Sequence, residues 1–186
     1  MDQESGYVRF DELFVKSVFR QIVLDVSRIH SLGWAHKDLS LENTMYDPDS
    51  NIATIIDFGM VVCAMRDPTS GAFHPISGGR KCGKTIYMAP EMQIPPLPPL
   101  DYRRCDIWSL GIMLFSLLAG TFPMEISTIA DDRFRIIAVE RGLQGLLQQW
   151  GFPVSAPAID LLQSILVEDP IQRPTAAMIL THPWLN

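Results

Sequence analysis

The chain has 186 residues, 47% of them apolar and 19% charged, with a positive mean hydropathy. That is the length of one domain, with enough apolar surface to bury a core, and it excludes an intrinsically disordered chain. The 15 Lys and Arg against 21 Asp and Glu leave a net charge of −6, which argues against nucleic acid or an anionic membrane as the main partner.

The first ten residues are acidic and broken by Gly6, so they lack the basic start and apolar run of a signal peptide. From Glu12 to Leu32, Val15, Val18, Phe19, Ile22, Val26 and Ile29 recur at three and four, predicting an amphipathic helix. Asp11 is placed to cap it and Gly33 to end it. The runs Thr44–Asp47 and Ile52–Ile56, separated by Pro48, Asp49, Ser50 and Asn51, predict a β-hairpin. Residues 60–105 are rich in proline and glycine, with 7 of the 14 prolines and 4 of the 12 glycines, and have no helical period, and so long a loop in a compact domain is usually functional. Asp106–Ala119 is apolar nearly all round, as a buried central helix should be. Its most apolar stretch, Leu110–Ala119, is about half of the ~20 residues a membrane span needs. Three more helices are predicted at Asp132–Gln149, Ala156–Val167 and Pro174–Thr181, with Pro174 in a first turn that tolerates it. Cys63, Cys82 and Cys105 are an odd, widely spaced set, read as reduced thiols of a cytoplasmic or nuclear protein.

The chemistry sits in the middle of the chain. His36-Lys37-Asp38-Leu39-Ser40-Leu41-Glu42-Asn43 is followed, 14 residues after Asn43, by Asp57-Phe58-Gly59. A carboxylate, an amide five residues on, and a carboxylate at the end of an adjacent strand can converge on one point. Asp and Asn oxygens are the hard ligands that Mg²⁺ takes alongside nucleotide phosphates. A further carboxylate there can accept a proton from an attacking hydroxyl.

These segments resemble the eukaryotic protein kinases. His36–Asn43 looks like the catalytic loop and Asp57-Phe58-Gly59 like the metal-binding DFG. Cys82–Glu91 looks like the substrate-docking loop that ends in Ala-Pro-Glu, and Asp106–Gly111 like the start of the buried central helix. Gln172-Arg173-Pro174 and His182-Pro183-Trp184 resemble the C-terminal helices. The motifs stand in family order along nearly the whole chain.

The resemblance implies a mainly α member of an α+β family fold, with a central buried helix and a short β-hairpin at the active site. It implies Asp38 as catalytic base, Asn43 and Asp57 as metal ligands, ATP and Mg²⁺ as cofactors, and a protein substrate, with a regulatory protein as a further partner. Met45 falls where the family supplies an apolar floor under adenine, although a core strand residue is an equal reading. Glu91 and Arg173 match a buried family ion pair, and Asp106 a carboxylate that accepts catalytic-loop N–H bonds. Tyr-Met-Ala-Pro-Glu and Glu42-Asn43 look like Ser/Thr-specific members. Nothing upstream of Asp11 resembles the Gly-rich strand turn or the phosphate-binding lysine of the family. The expectation is therefore the large lobe alone over residues 11–186, with catalytic loop 36–43, activation segment 57–91 and central helix 106–119. Residues 1–10 are then the tail of the inter-lobe connection, the small lobe is absent, and the chain by itself is inactive. An apolar rim around Met45 and Phe58 should then be exposed. A protein-binding module without catalysis and a small-molecule phosphotransferase are the alternatives.

Three positions depart from the family pattern. Lys37 stands where an Arg clamps a loop phosphate, and its ammonium cannot make the two-bond fork. Ser40 stands where a Lys touches the transferring phosphate, and Lys84 where a Thr faces that Lys. The pair suggests a reciprocal exchange in which Lys84 reaches back toward Asp38 and Ser40, placing Lys84 among the catalytic residues and Ser40 among those that hold the nucleotide. Other features have plainer readings. His30, His74 and His182 are expected to be solvated or capping residues, Arg66, Arg80, Lys81 and Lys84 otherwise solvated charge, and Pro95–Pro99 a stiff connector. Thr69, Ser70 and Ser77 are candidate phosphorylation sites.

Overall fold

The computed structural model describes residues 10–70, 73–76, 81–93 and 96–186. Ser77, Arg80, Pro95 and the expected inter-lobe tail up to residue 9 lie outside the described residues.

Helix α1 spans Glu12–Ser31. The Asp11 carboxylate accepts the Leu13 and Phe14 N–H groups at 2.9 and 3.3 Å, a cap worth about 1 kcal/mol. The face predicted from periodicity is the buried one, through Val15, Val18, Phe19, Ile22, Val23 and Val26. Gly33 follows the helix with φ +84°.

Two small antiparallel sheets follow. Strand β1 (Trp34–Ala35) pairs with β4 (Val62–Cys63), and β2 (Thr44–Asp47) with β3 (Ile52–Ile55) in register Thr44↔Ile55 to Asp47↔Ile52. The β2–β3 hairpin is the predicted one. The β1–β4 pair was invisible to strand patterning because two-residue strands carry no period.

The central helix, α2, spans Tyr102–Ala119, and every residue from Cys105 to Ala119 is buried, with Trp108, Leu110 and Leu114 showing no exposed surface. It begins four residues before the expected start because Asp101 accepts the Arg103 N–H and adds a polar first turn. Gly111 explains itself here: a Cβ would lie 2.6 Å from Ile165 and 2.7 Å from Leu166. A glycine in mid-helix lets the chain around α5 approach.

The predicted Asp132–Gln149 helix is two pieces. The short α3 (Asp132–Phe134) runs into a π-turn at Arg135–Val139, and α4 begins at Leu143 and ends at Gln149. Arg141 sits at φ +62° between them, while Glu140 N–H bonds to Arg135 O and Gly142 N–H to Ile136 O, so the α ladder cannot continue. Helix α5 (Ala156–Ile165) stops two residues before the expected Val167, whose carbonyl accepts from the Arg173 guanidinium instead. Helix α6 is Ala176–Leu180, capped by Thr175, so Pro174 precedes the cap and is not in the first turn. The chain ends by packing Trp184 and Leu185 into the same core. None of the helices among the described residues is long and apolar enough to cross a membrane.

Candidate active site

The loop between β1 and β2 is held from below by one buried carboxylate. Asp106, in the second turn of α2, accepts the His36 N–H at 2.7 Å and the His30 Nε2 at 2.9 Å on Oδ2, and the Lys37 N–H at 2.8 Å on Oδ1. Lys37 takes φ +69°, a conformation that turns two consecutive N–H groups onto one carboxylate. Such backbone strain costs about 1–3 kcal/mol and is sustained only where surrounding bonds over-determine it. His30 is thus a buried partner of Asp106 and not a solvated residue. His182 does cap, accepting the Trp184 N–H, while His74 lies at the surface 3.5 Å from Asp67.

His36 joins two segments. Its Nδ1 accepts the Asp38 N–H and its Nε2 donates to Ile56 O at 3.2 Å, with the ring edge-on to Phe58. Asp38 then projects its carboxylate toward Asn43 and Lys84. Asn43 Nδ2 donates to Asp38 O at 2.8 Å and to Asp38 Oδ2 at 2.9 Å, and the Lys84 N–H reaches Oδ1 at 3.2 Å. Asn43 closes a 3-10 turn at Leu41–Asn43, capped by Ser40, whose hydroxyl accepts the Asn43 N–H. Both amide protons of Asn43 are thereby given to Asp38, which leaves its Oδ1 as an oxygen donor. The Asn43 carbonyl accepts the Ile56 N–H at 2.9 Å, and this bond brings Asp57 to the same end of the hairpin.

Asp57 is exposed, at φ +64°, with Oδ1 accepting the Gly59 N–H. An amide oxygen beside an exposed carboxylate is a hard-oxygen set, which fits Mg²⁺ shared with phosphate oxygens. The small cavity at Asp38 is lined by Lys37, Gly83, Lys84 and Tyr87, on the side of segment 82–92, while Asn43 meets the Asp38 carboxylate directly. Met45, on β2, is 62% exposed and therefore not a core strand residue. Phe58, three residues after β3, is 47% exposed, so both residues of the expected apolar rim lie at the surface.

Lys84 reaches where the departure from pattern placed it. Its Nζ lies 2.8 Å from Ser40 Oγ and 3.7 Å from Asp38 Oδ2. Lys81 also bonds, to Gln93, and Arg66 stacks on Phe73, so the basic residues described in this loop are not plain solvated charge. The Lys37 ammonium lies 4.4 Å from the centre of the Tyr102 ring.

Two contributors were missed from the sequence. Burial opposes the charged form of Glu42, yet its own N–H, the Tyr87 and Ser40 hydroxyls and the Lys84 charge together hold its carboxyl below the usual range. Tyr87 is pushed above its ordinary range, first by burial and then by the Glu42 charge, and its hydroxyl accepts the Leu41 N–H. The segment leading to Glu91 is pinned by buried hydroxyls: Ser109 donates to Tyr87 O at 2.8 Å and Ser127 to Met88 O at 2.7 Å. Its far end is fixed by Glu91, paired with Arg173 through two bonds of 2.7 and 2.8 Å.

The sequence of this loop, hairpin and central helix matches the model of the "Protein kinase domain" family over residues 2–185. The chain belongs to the protein kinase domain family. It is 32% identical over 179 residues to the "Hormonally up-regulated neu tumor-associated kinase" of Mus musculus, covering 96% of this chain and 23% of that protein. It is 34% identical over 182 residues to the "Maternal embryonic leucine zipper kinase" of Xenopus laevis, covering 95% of this chain and 25% of that protein. The chain therefore spans about a quarter of the length of these curated relatives. The kinase domain family generally uses ATP with Mg²⁺.

Proposed function

We propose that residues 11–186 form the large, catalytic lobe of a Ser/Thr protein kinase, which moves the γ-phosphoryl group of ATP to a protein hydroxyl. Residues 36–43 act as the catalytic loop and 57–91 as the activation segment, with residues 1–10 leading to a smaller lobe. In this reading Asp38 orients the substrate hydroxyl and accepts its proton. The observation that carries the reading is the pair of hydrogen bonds that Asn43 donates to Asp38, on a loop whose two preceding N–H groups are tied to Asp106. A base needs a fixed carboxylate within reach of one proton, and this arrangement supplies it.

Asn43 Oδ1 and the Asp57 carboxylate would hold Mg²⁺. When bound, that ion neutralises phosphate charge and orients the phosphoryl group. Met45 packs under the adenine. The exposed side chains of Met45 and Phe58 are the face that a smaller lobe covers. Glu91 and Arg173 fix the platform on which the protein substrate docks.

The test is phosphate transfer from radiolabelled ATP to peptide arrays by a protein in which a kinase small lobe completes the chain. Label on Ser and Thr peptides with Mg²⁺ present supports the reading. Label confined to Tyr peptides or to small-molecule hydroxyls, or no label with ATP bound, contradicts it.

A further inference from the structure

Phosphoryl transfer concentrates negative charge on oxygens beside the catalytic carboxylate, and a cation placed there before the reaction lowers the barrier. The loop that carries Asp38 offers none. Lys37 is turned away onto the Tyr102 ring, and Ser40 is fully buried and neutral. Among the described residues, the ammonium paired with Asp38 belongs to Lys84, on the docking segment 44 residues from Ser40.

The backbone is shaped to bring it there. Gly83 has φ +87°, and a Cβ on it would lie 2.7 Å from Lys37 O and 3.3 Å from Asp38 Oδ1. Only glycine allows that approach, and it delivers the next N–H to the Asp38 carboxylate. The Lys84 side chain then folds back so that Nζ donates to Ser40 Oγ at 2.8 Å. Ser40 in turn accepts the Asn43 N–H and bonds to Glu42, so its hydroxyl is a fixed seat. A long, hydrated side chain such as Lys gains little from an exposed ion pair alone. This one is one-third exposed and yet is held by a buried hydroxyl, with its charge directed along the edge of Asp38.

We infer that Lys84 supplies the cation for the transferred phosphoryl group, with Ser40 as its seat, the two residues having exchanged the usual assignment of charge and hydroxyl between catalytic loop and docking segment. This rests on the phosphotransfer reading. In the step, the substrate hydroxyl oxygen forms a bond to the γ-phosphorus and the bond from that phosphorus to the bridging oxygen breaks. ADP leaves with that oxygen, and the hydroxyl proton passes to Asp38. Lys84 takes no proton and bonds to the phosphoryl oxygens throughout. A consequence is that charge supply depends on the docking segment: the segment must lie against the catalytic loop before the cation is in place.

The experiment is a calorimetric titration of the 186-residue chain with Mg²⁺–tripolyphosphate, alongside thermal unfolding of each variant. Lys84→Thr should weaken binding about tenfold or more, the size expected for a lost charged hydrogen bond, with an unfolding midpoint near that of the parent. Lys84→Arg should keep affinity within about threefold, and Ser40→Lys combined with Lys84→Thr should recover most of the loss. Binding unchanged in Lys84→Thr, with the parent binding normally, makes Lys84 a surface ion pair and overturns the inference while leaving the phosphotransfer reading intact. A parent that binds no Mg²⁺–tripolyphosphate overturns the inference, while the phosphotransfer reading is judged separately by transfer in the lobe-completed protein. Should Ser40→Lys fail to fold in its buried position, loss in Lys84→Met with retention in Lys84→Arg decides the matter.

Discussion

Arg173 uses all five of its N–H donors inside the protein: two on Glu91, and one each on the Val167, Arg104 and Glu168 carbonyls. Its side chain has no exposed surface and stacks on Trp108 at 5.2 Å. Glu91 also receives the Cys105 thiol, whose pKa is pushed well up by burial and by the Glu91 charge. A pair this buried contributes little when compared with a hydrophobic replacement, but removing one partner leaves an uncompensated charge. Arg173→Met should therefore destabilise by about 3–5 kcal/mol in urea denaturation, and Arg173→Met with Glu91→Gln by clearly less. Equal losses in the single and double variants would mean that the carbonyl bonds, not the ion pair, hold Arg173. The pairing itself was legible from two motifs far apart in the chain. The five-donor setting was not, because backbone carbonyls carry no sequence signal. The same limit hid Tyr87 and Glu42: each matters through a contact about 45 residues away, and neither belongs to a local pattern.

At the scale of elements, Gly111 sets two effects against each other. Alanine gains about 1 kcal/mol of helix propensity over glycine, but here its methyl carbon would sit 2.6 Å from Ile165. Overpacking a core of this density costs about 1–3 kcal/mol, so packing should win. Gly111→Ala should lower the urea midpoint, and a rise would show that the chain around α5 can move away freely. Helices with an apolar stripe or an all-apolar face were readable, as α1 and the body of α2 show. Their ends were less so. The break after Val139 depends on Arg141 adopting φ +62°, which its residue type does not announce, and α5 ends early because Arg173 captures the Val167 carbonyl. In the candidate site, the residue types at Asp38, Asn43, Asp57, Ser40 and Lys84 were legible in the sequence. Their grouping depends on the fold: Asn43 and Lys84 both meet the Asp38 carboxylate, the second across 46 residues of chain.

The molecule as a whole is closed by carboxylates whose pKa falls on folding. Burial raises the Glu12 carboxyl, but the Ser155 hydroxyl and N–H and the Trp184 indole N–H outweigh it, tying the first turn of α1 to the chain end. Asp131 is likewise lowered, burial being outweighed by the Glu125, Arg133 and Ile126 N–H groups. Reference values are 4.5 and 3.8, and both groups hold fewer protons when folded. Their stabilisation is therefore complete above about pH 5 and is lost as pH falls through the lower folded values. The urea midpoint should drop between pH 5 and pH 3, and Glu12→Gln should flatten that drop. An unchanged drop would place the acid sensitivity elsewhere.

The central claim is that Asp38 acts on a proton while Asp57 acts on the metal. The most direct measurement compares Asp38→Asn and Asp57→Asn in the lobe-completed protein, reading both turnover and Mg²⁺–ATP affinity. Asp38→Asn should reduce turnover by about 10²–10⁴-fold with affinity kept, as loss of a general base does, whereas Asp57→Asn should lose affinity and turnover together. Equal loss of affinity and turnover in Asp38→Asn would contradict the account.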